Sequence, residues 1–217
     1  MGVIFDLDGT LINSIPLHTT ALYKAMNKVL GNHGVPLDFI KREIRFPSPI
    51  LFDDLRGFGI DISRSEIIEI LDERRRYLSE ENVRKVKIFS SAFDVVRLLD
   101  RKGVRYCIAT AMYTKDLEVF EKVLKLRRLS KVIINPPAFG YEKPNPFILN
   151  RSMEVMRMRP ESSCYVGDSP YDLITANRAG MHFMGVYNKA LARLGVFFEN
   201  LERLKDYLKV SAEFFKD

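Results

Sequence analysis

Cysteine and histidine are scarce in this 217-residue chain, with two of the former and three of the latter. The cysteines, Cys107 and Cys164, each lie inside an apolar strand-like run. That excludes a disulfide framework and leads us to expect reduced, buried thiols in a cytoplasmic protein. Nowhere do Cys and His take the spacing of a zinc site. No apolar run approaches the ~18 residues that cross a bilayer, so no transmembrane helix is expected. The opening MGVIFDLDGT has no basic segment, and Asp6 and Asp8 break its apolar run, so no secretory signal is expected. Internal repeats and low-complexity segments are also missing. What remains is a globular composition, 47% hydrophobic and 29% charged, which excludes a disordered chain. The length suits one core of ordinary size with a modest insertion.

Basic residues number 34 against 28 acidic, a net charge of +6. The excess could favour nucleic acid, an anionic surface or phosphorylated small molecules, and it is spread along the chain. The triplet Arg74-Arg75-Arg76, set among glutamates, reads as one face of a solvated helix. There is no aromatic-basic RNA motif and no tandem basic arm, so neither a nucleic-acid nor a membrane partner is expected.

The order of elements reads as a strand, a helical stretch, then alternating helices and strands. Val3 to Leu7 is a short apolar run without polar alternation, as in a central parallel strand covered on both faces. About seventy residues without a convincing strand follow. Ser14 can cap a helix with Leu17, Ala21, Ala25 and Val29 on its apolar face, ended by Gly31. Ser48-Pro49 opens another helix, and Ser63 with Glu66 forms a capping box for a third. Helices are then expected over about 91–102 and 115–124, from Asn145-Pro146, from Ser169-Pro170 to Ala179, and from Leu201. Strands are expected over 104–109, 132–134, 164–166, 183–186 and 196–198. This alternation predicts an α/β fold, a Rossmann-like doubly wound parallel sheet with an inserted all-helical cap subdomain. The division falls at residues 1–14 and 88–217 for the core and 15–87 for the cap.

Asp6 interrupts an apolar strand near its C-terminal end. A buried carboxylate without a partner is costly, so one is expected to be nearby. Asp8 follows two residues later and can point the same way. Gly9 allows a sharp exit, and Thr10 supplies a hydroxyl. In open α/β sheets this is where the binding crevice lies, although Asp8-Gly9 alone would make an ordinary turn. A second acidic pair, Asp168 and Asp172, follows another strand in Gly167-Asp168-Ser169-Pro170-Tyr171-Asp172. Asp172 also fits the third position of a capping box, and both readings stay open. If adjacent strands bring Asp6, Asp8 and Asp168 together, the carboxylates repel by several kcal/mol at ~4 Å. Protons or a cation must relieve that, and oxygen-only ligands beside a phosphate favour Mg²⁺. Thr110, with Ala111 after it, ends a third strand and offers a hydroxyl and backbone N–H groups. Lys143, between Glu142 and Pro144, is held at a helix entrance or is a solvated loop lysine.

Together, Asp6-Leu7-Asp8-Gly9-Thr10, Thr110, Lys143 and Gly167-Asp168…Asp172 resemble the four motifs of the haloacid dehalogenase superfamily, over nearly the whole chain. The resemblance implies a Rossmann-like core and Mg²⁺-dependent hydrolysis of phosphomonoesters. By position, Asp6 would be the nucleophile that becomes an aspartyl phosphate and Asp8 the general acid and base. Thr110 and Lys143 would bind the transferring phosphoryl group, alongside Gly9, Thr10 and Ala111. Mg²⁺ would be held by Asp6, the Asp8 backbone carbonyl and Asp168, with Asp172 in support. Asp8 separates the chain from the dehalogenases, which lack that second aspartate.

The helical cap resembles those of phosphoglycolate phosphatases, sugar-phosphate phosphatases and β-phosphoglucomutases. His18 matches a mutase histidine that couples cap closure to proton transfer, or is simply a polar residue on the first cap helix. Thr10, and the lack of a Gly-Val-Ser-Arg type element in residues 43–49, favour hydrolysis over isomerisation, with Arg45 left as a possible sugar ligand. The cap, residues 15–87, carries 13 basic and 11 acidic residues, mildly suited to an anionic substrate. The expectation is thus a phosphatase acting on a small phosphorylated metabolite, as a monomer or homodimer. A mutase or a non-catalytic phosphate-binding module is the alternative.

Overall fold

A computed structural model describes residues 2–31, 34–44, 48–57, 59–138 and 140–211. Its centre is a six-stranded, all-parallel sheet. The strands are β1 (Gly2–Phe5), β2 (Arg105–Ala109), β3 (Ile133–Ile134), β4 (Ser163–Gly167), β5 (His182–Val186) and β6 (Val196–Phe198), in the spatial order β3-β2-β1-β4-β5-β6. The chain builds outward from β1 through β2 to β3, then returns to place β4 on the other side of β1. That reversal makes a crevice at the C-terminal ends of β1 and β4. Phe5 is level with Ile108 on one side and Val166 on the other. The residues that follow these strands therefore emerge side by side.

Alternation along β1 feeds two cores. Val3 and Phe5 face a cluster that includes Val95, Leu99, Phe120 and Leu204, from α6 (Ser90–Arg101), α7 (Thr114–Leu124) and α10 (Leu201–Ser211). Ile4 faces the opposite cluster, with Cys107, Ile148, Leu149 and Tyr165, beneath α8 (Phe147–Met156) and α9 (Pro170–Arg178). Both cysteines are free and buried, as expected. Leu99, 1% exposed, shows the scale of this packing, since truncating such a side chain to Ala costs about 2–5 kcal/mol.

Between β1 and α6 the described chain is helical: α1 (Ile15–Leu30), α2 (Leu37–Glu43), α3 (Ser48–Arg56), α4 (Arg64–Tyr77) and α5 (Glu80–Val83). Leu22, Ala25, Met26, Ile40, Leu55 and Ile70 belong to a third apolar cluster of their own. The capping box of Ser63 and Glu66 forms at the start of α4, and Gly31 ends α1 at φ 66°. The short helices α2 and α5 were not expected from the sequence. No described helix is long and apolar enough to cross a membrane.

Two expectations need correction. The first strand ends at Phe5 rather than Leu7, because the Leu7 carbonyl turns inward and accepts from the N–H groups of Thr10, Leu11 and Ile12. Ser14 precedes α1, but its side chain does not cap the helix; its hydroxyl donates instead to Asp8 Oδ1 at 2.5 Å. A carboxylate is the stronger acceptor, so the hydroxyl is turned away from the helix N–H groups.

Candidate active site

Asp6 leaves β1 while its backbone N–H still donates to Val166 O of β4 at 2.8 Å. This anchors the carboxylate at the crevice, where it is 5% exposed. Lys143 Nζ donates to Asp6 Oδ1 and to Asp172 Oδ1, each at 2.6 Å. Lys143 is thus a buried ion-pair residue, not a solvated loop lysine. Its Nζ also lies 5.3 Å from the centre of the Tyr165 ring.

Oxygen atoms of Asp6, Asp168 and Asp172 lie within 4.8 Å of one another. Burial pushes the Asp6 carboxyl well above its ordinary range; Lys143 opposes this, while Asp172, Asp168 and Asp8 add to it. Burial alone would weaken the Lys143 ammonium, but Asp172 and Asp6 outweigh it and push its pKa up. One cation shared among several carboxylates is over-compensated, while the carboxylates remain under-compensated. A hard divalent ion suits that deficit, and the all-oxygen donor set suits Mg²⁺.

Asp172 serves as both cap and tether. Its Oδ2 accepts from Ser169 N–H and Ser169 Oγ, completing the capping box of α9. Its Oδ1 accepts from Lys143, and the Tyr165 hydroxyl lies 3.1 Å away. Asp168 is steadied by Asn188, whose amide donates to its backbone carbonyl at 2.9 Å. Gly9 sits at φ 77°, and a Cβ there would fall 2.4 Å from Asp168 Oδ2. The loop after β1 therefore approaches Asp168 as only glycine allows. Thr10 Oγ1 reaches toward Asp168 Oδ1 at 3.4 Å. Thr110 is fully buried, and its Oγ1 accepts from Met112 N–H at 3.1 Å, so its own hydrogen remains to be donated.

Asp8 has different partners from Asp6. Its Oδ1 accepts from Ser14 and lies 3.0 Å from His18 Nε2. Burial would raise the Asp8 carboxyl, but the His18 and Ser14 contacts and Lys143 outweigh it and hold the carboxyl below its ordinary range. His18 is buried and stacks on Phe120 of α7, with centroids 5.7 Å apart. Arg74 Nη2 of α4 lies 3.1 Å from His18 Nδ1. A guanidinium can only donate, so Nδ1 is the acceptor in that contact, and Nε2 is the ring atom facing Asp8.

Arg74 therefore corrects the reading of its triplet. Consecutive helical residues point about 100° apart, so three in a row cannot share one face. Arg76 pairs with Glu73 at the surface, Arg75 reaches Asp72 and Asp116, and Arg74 turns inward. Ser14, Arg74, Tyr165 and Asn188 were missed as site residues. Only Tyr165 carried a signal, as a polar-tipped residue in a central apolar strand. A cavity of about 260 Å³ is lined by Asp6, Asp8, Lys143 and Asp168 together with Leu22, Leu51, Leu71 and Arg74. Ala111 also borders it. Arg45 lies outside the described residues.

Residues 3–186 match the family model for haloacid dehalogenase-like hydrolases. The chain belongs to that hydrolase family. A pyrophosphatase PpaX of Bacillus mycoides is 27% identical over 186 residues, 85% of this chain and 82% of the relative. Among solved structures, a hydrolase from Pseudomonas syringae superposes with TM-score 0.82 at 22% identity, covering 96% of this chain and 97% of the other. A family hydrolase from Deinococcus radiodurans, solved with bound phosphate and sodium, has TM-score 0.71 at 20% identity and covers 99% and 96%. These structural likenesses support the fold.

Proposed function

We propose that the protein is a Mg²⁺-dependent phosphatase that hydrolyses a small phosphomonoester through an aspartyl-phosphate intermediate. One observation carries this reading. At the mouth of a cavity, the Asp6 carboxylate is held 2.6 Å from Lys143 Nζ, with Asp168 and Asp172 oxygens within 4.8 Å. The pyrophosphatase name of the relatives and the phosphate bound in one neighbour point to the same electrophile.

Asp6, the Asp8 backbone carbonyl and Asp168 would hold Mg²⁺, with Asp172 behind them. The ion, when bound, supplies the positive charge that lets a carboxylate approach a phosphate dianion. Lys143 keeps Asp6 Oδ1 fixed, leaving the other carboxylate oxygen to attack phosphorus. Lys143, the Thr110 hydroxyl and backbone N–H groups near Gly9, Thr10 and Ala111 neutralise the equatorial phosphoryl oxygens. The incoming phosphate dianion opposes the His18 contact and raises the Asp8 carboxyl, so that Asp8 carries a proton and gives it to the alcohol as the bond to the ester oxygen breaks. Asp8 then takes a proton from water, which attacks phosphorus, frees phosphate and restores Asp6.

Residues 15–87 act as a cap on this core, with the division at 14/15 and 87/88. The paired connections support that boundary: Asn13 N–H donates to Lys87 O at 2.8 Å, and Phe89 N–H to Leu11 O at 3.0 Å. The cap excludes water from the site. The protein works in the cytoplasm on a small phosphorylated metabolite, as a monomer or homodimer, without nucleic acid or membrane. The test is phosphate release from p-nitrophenyl phosphate with Mg²⁺. Activity lost in EDTA and in Asp6→Asn supports the reading; equal release by Asp6→Asn refutes it. The His18–Asp8 contact favours a second reading, a sugar-phosphate mutase. That reading requires isomerisation primed by a bisphosphate, with little net phosphate release.

A further inference from the structure

Tyr165 is the largest fully buried side chain among the described residues. It stands in the middle of β4, and it is not among the residues that line the cavity. A phenol in a central strand needs a partner for its hydroxyl. Here the hydroxyl lies 3.1 Å from Ala109 O and 3.1 Å from Asp172 Oδ1. Burial, then Asp172 and Asp6, push the phenol well above its ordinary range, so it keeps its hydrogen. One hydrogen therefore serves two acceptors on two different elements.

Each acceptor leads to a group assigned to the phosphoryl oxygens. Ala109 ends β2, and Thr110 follows it directly. Asp172 Oδ1 also accepts from Lys143 Nζ at 2.6 Å, and that ammonium lies 5.3 Å from the centre of the Tyr165 ring. The ammonium gives a second N–H to Asp6, which leaves one of its three for a ligand. Where that third N–H points depends on where Asp172 holds the other end of the pair. Asp172 Oδ2 is tied to Ser169 by two bonds, at the start of α9. On Oδ1 the phenol and the ammonium donate to the same oxygen. Removing the phenol strengthens the pull of Oδ1 on the ammonium, at the expense of Asp6. It also takes a donor from the carbonyl just before Thr110.

We infer that Tyr165 is a positioning residue for phosphoryl transfer: its hydroxyl links the end of β2, which carries Thr110, to the Asp172 carboxylate that aims Lys143. Closed off from the cavity, it acts through those two groups and does not touch the substrate. The inference rests on the phosphatase reading and adds to it a residue from inside the sheet.

The test replaces the hydroxyl by groups of similar size. Tyr165→p-fluoro-Phe fills the space with no hydrogen to give, and Tyr165→p-amino-Phe gives hydrogens from the same place. Phosphate release from p-nitrophenyl phosphate with Mg²⁺ gives kcat and KM. Competition gives the inhibition constants of orthovanadate and inorganic phosphate, at a temperature where circular dichroism shows each variant folded. Vanadate adopts the five-coordinate geometry of phosphorus in transit, and phosphate does not. Loss of a bond to a charged group, expressed in part as lost aim, predicts that kcat falls about 10-fold in the p-fluoro variant with KM nearly unchanged. Vanadate should weaken about 10-fold relative to phosphate for the same reason. Tyr165→p-amino-Phe should recover most of both losses. A phenol with a purely structural role would lower stability and leave kcat and the vanadate-to-phosphate ratio unchanged. That result, or a p-amino variant as slow as the p-fluoro one, overturns the inference. If the p-fluoro variant does not fold, Tyr165→Phe takes its place, since it lacks the hydrogen in the same way. Equal release by wild type and Asp6→Asn removes the phosphatase reading itself and the inference with it, whereas an active wild type with no difference along the series removes the inference alone.

Discussion

Replacing Lys143 by Met deletes one charge and keeps an unbranched stem, and its cost can be worked from the geometry. Lys143 is 7% exposed, and its ammonium bonds Asp6 and Asp172 at 2.6 Å each. Removing one member of a buried ion pair costs about 3–5 kcal/mol, because the remaining charge is left in a poor solvent. Here two carboxylates lose the same partner, which pushes the cost up. Asp6, already pushed toward protonation by burial, can escape part of it by taking a proton. The expected loss is therefore about 3 kcal/mol, or roughly 6–12 °C in Tm for a chain of this size.

Urea denaturation followed by circular dichroism at pH 7 measures it, in EDTA so that no divalent ion replaces the ammonium. The sign of a second change is as informative as the size of the first. Adding Asp6→Asn to Lys143→Met removes one of the crowded charges, so the double variant should be more stable than Lys143→Met alone. The pH dependence follows from the same pairing. The Lys143 pKa is raised above its ordinary 10.5 in the folded protein, so its contribution is fully present below pH 10.5 and is lost as pH climbs through the native value. A Lys143→Met protein within 1 kcal/mol of wild type, or a double variant less stable than the single, would show that this ammonium does not hold the carboxylates together.

Gly9→Ala places a Cβ 2.4 Å from Asp168 Oδ2 on a backbone at φ 77°, and should cost at least about 1–2 kcal/mol and most of the turnover, read by denaturation and phosphate release. Tyr165→Phe keeps the ring beside Lys143 but removes the hydroxyl that contacts Ala109 O and Asp172; a loss of about 1–3 kcal/mol is expected, and Tyr165→Leu should lose more. Burial pushes the Cys107 and Cys164 thiols up to about 12, so both remain protonated at pH 8 and should react with a disulfide reagent only after urea unfolding. Rapid labelling of the folded protein would contradict that.

Elements governed by local chemistry were legible in the sequence. The capping boxes at Ser63 and Ser169 depend on residues three apart, and both formed. Buried strands showed as apolar runs because a central parallel strand has no polar face to alternate with. The end of β1 was misplaced for the opposite reason. Leu7 is fully buried like a strand residue, but its carbonyl closes the Asp6–Ile12 loop, which composition does not reveal. The helix α2 has only seven residues, too few for a periodic apolar pattern to stand out.

At the site, the legible residues were those whose presence was costly. Asp6 and Asp168 are acids at the ends of apolar strands, and a sequence keeps such groups only where something offsets them. The partners that act across the two parts of the chain were not legible. Arg74 was hidden in a run of arginines, of which Arg76 pairs at the surface with Glu73 and Arg75 with Asp72 and Asp116. The inward turn of Arg74 depends on helical phase and on His18, 56 residues earlier. Ser14 looked like a cap because a serine before a helix usually is one, and only the nearby Asp8 carboxylate changes where its hydroxyl donates. In both cases the deciding contact runs from a helix of residues 15–87, or the residue just before it, to the side chain assigned to proton transfer or to its histidine. The sequence therefore shows most clearly the groups proposed to handle phosphorus. The groups proposed to act on the leaving alcohol emerge only from how the helices pack around them, as Arg74 of α4 does against His18 of α1.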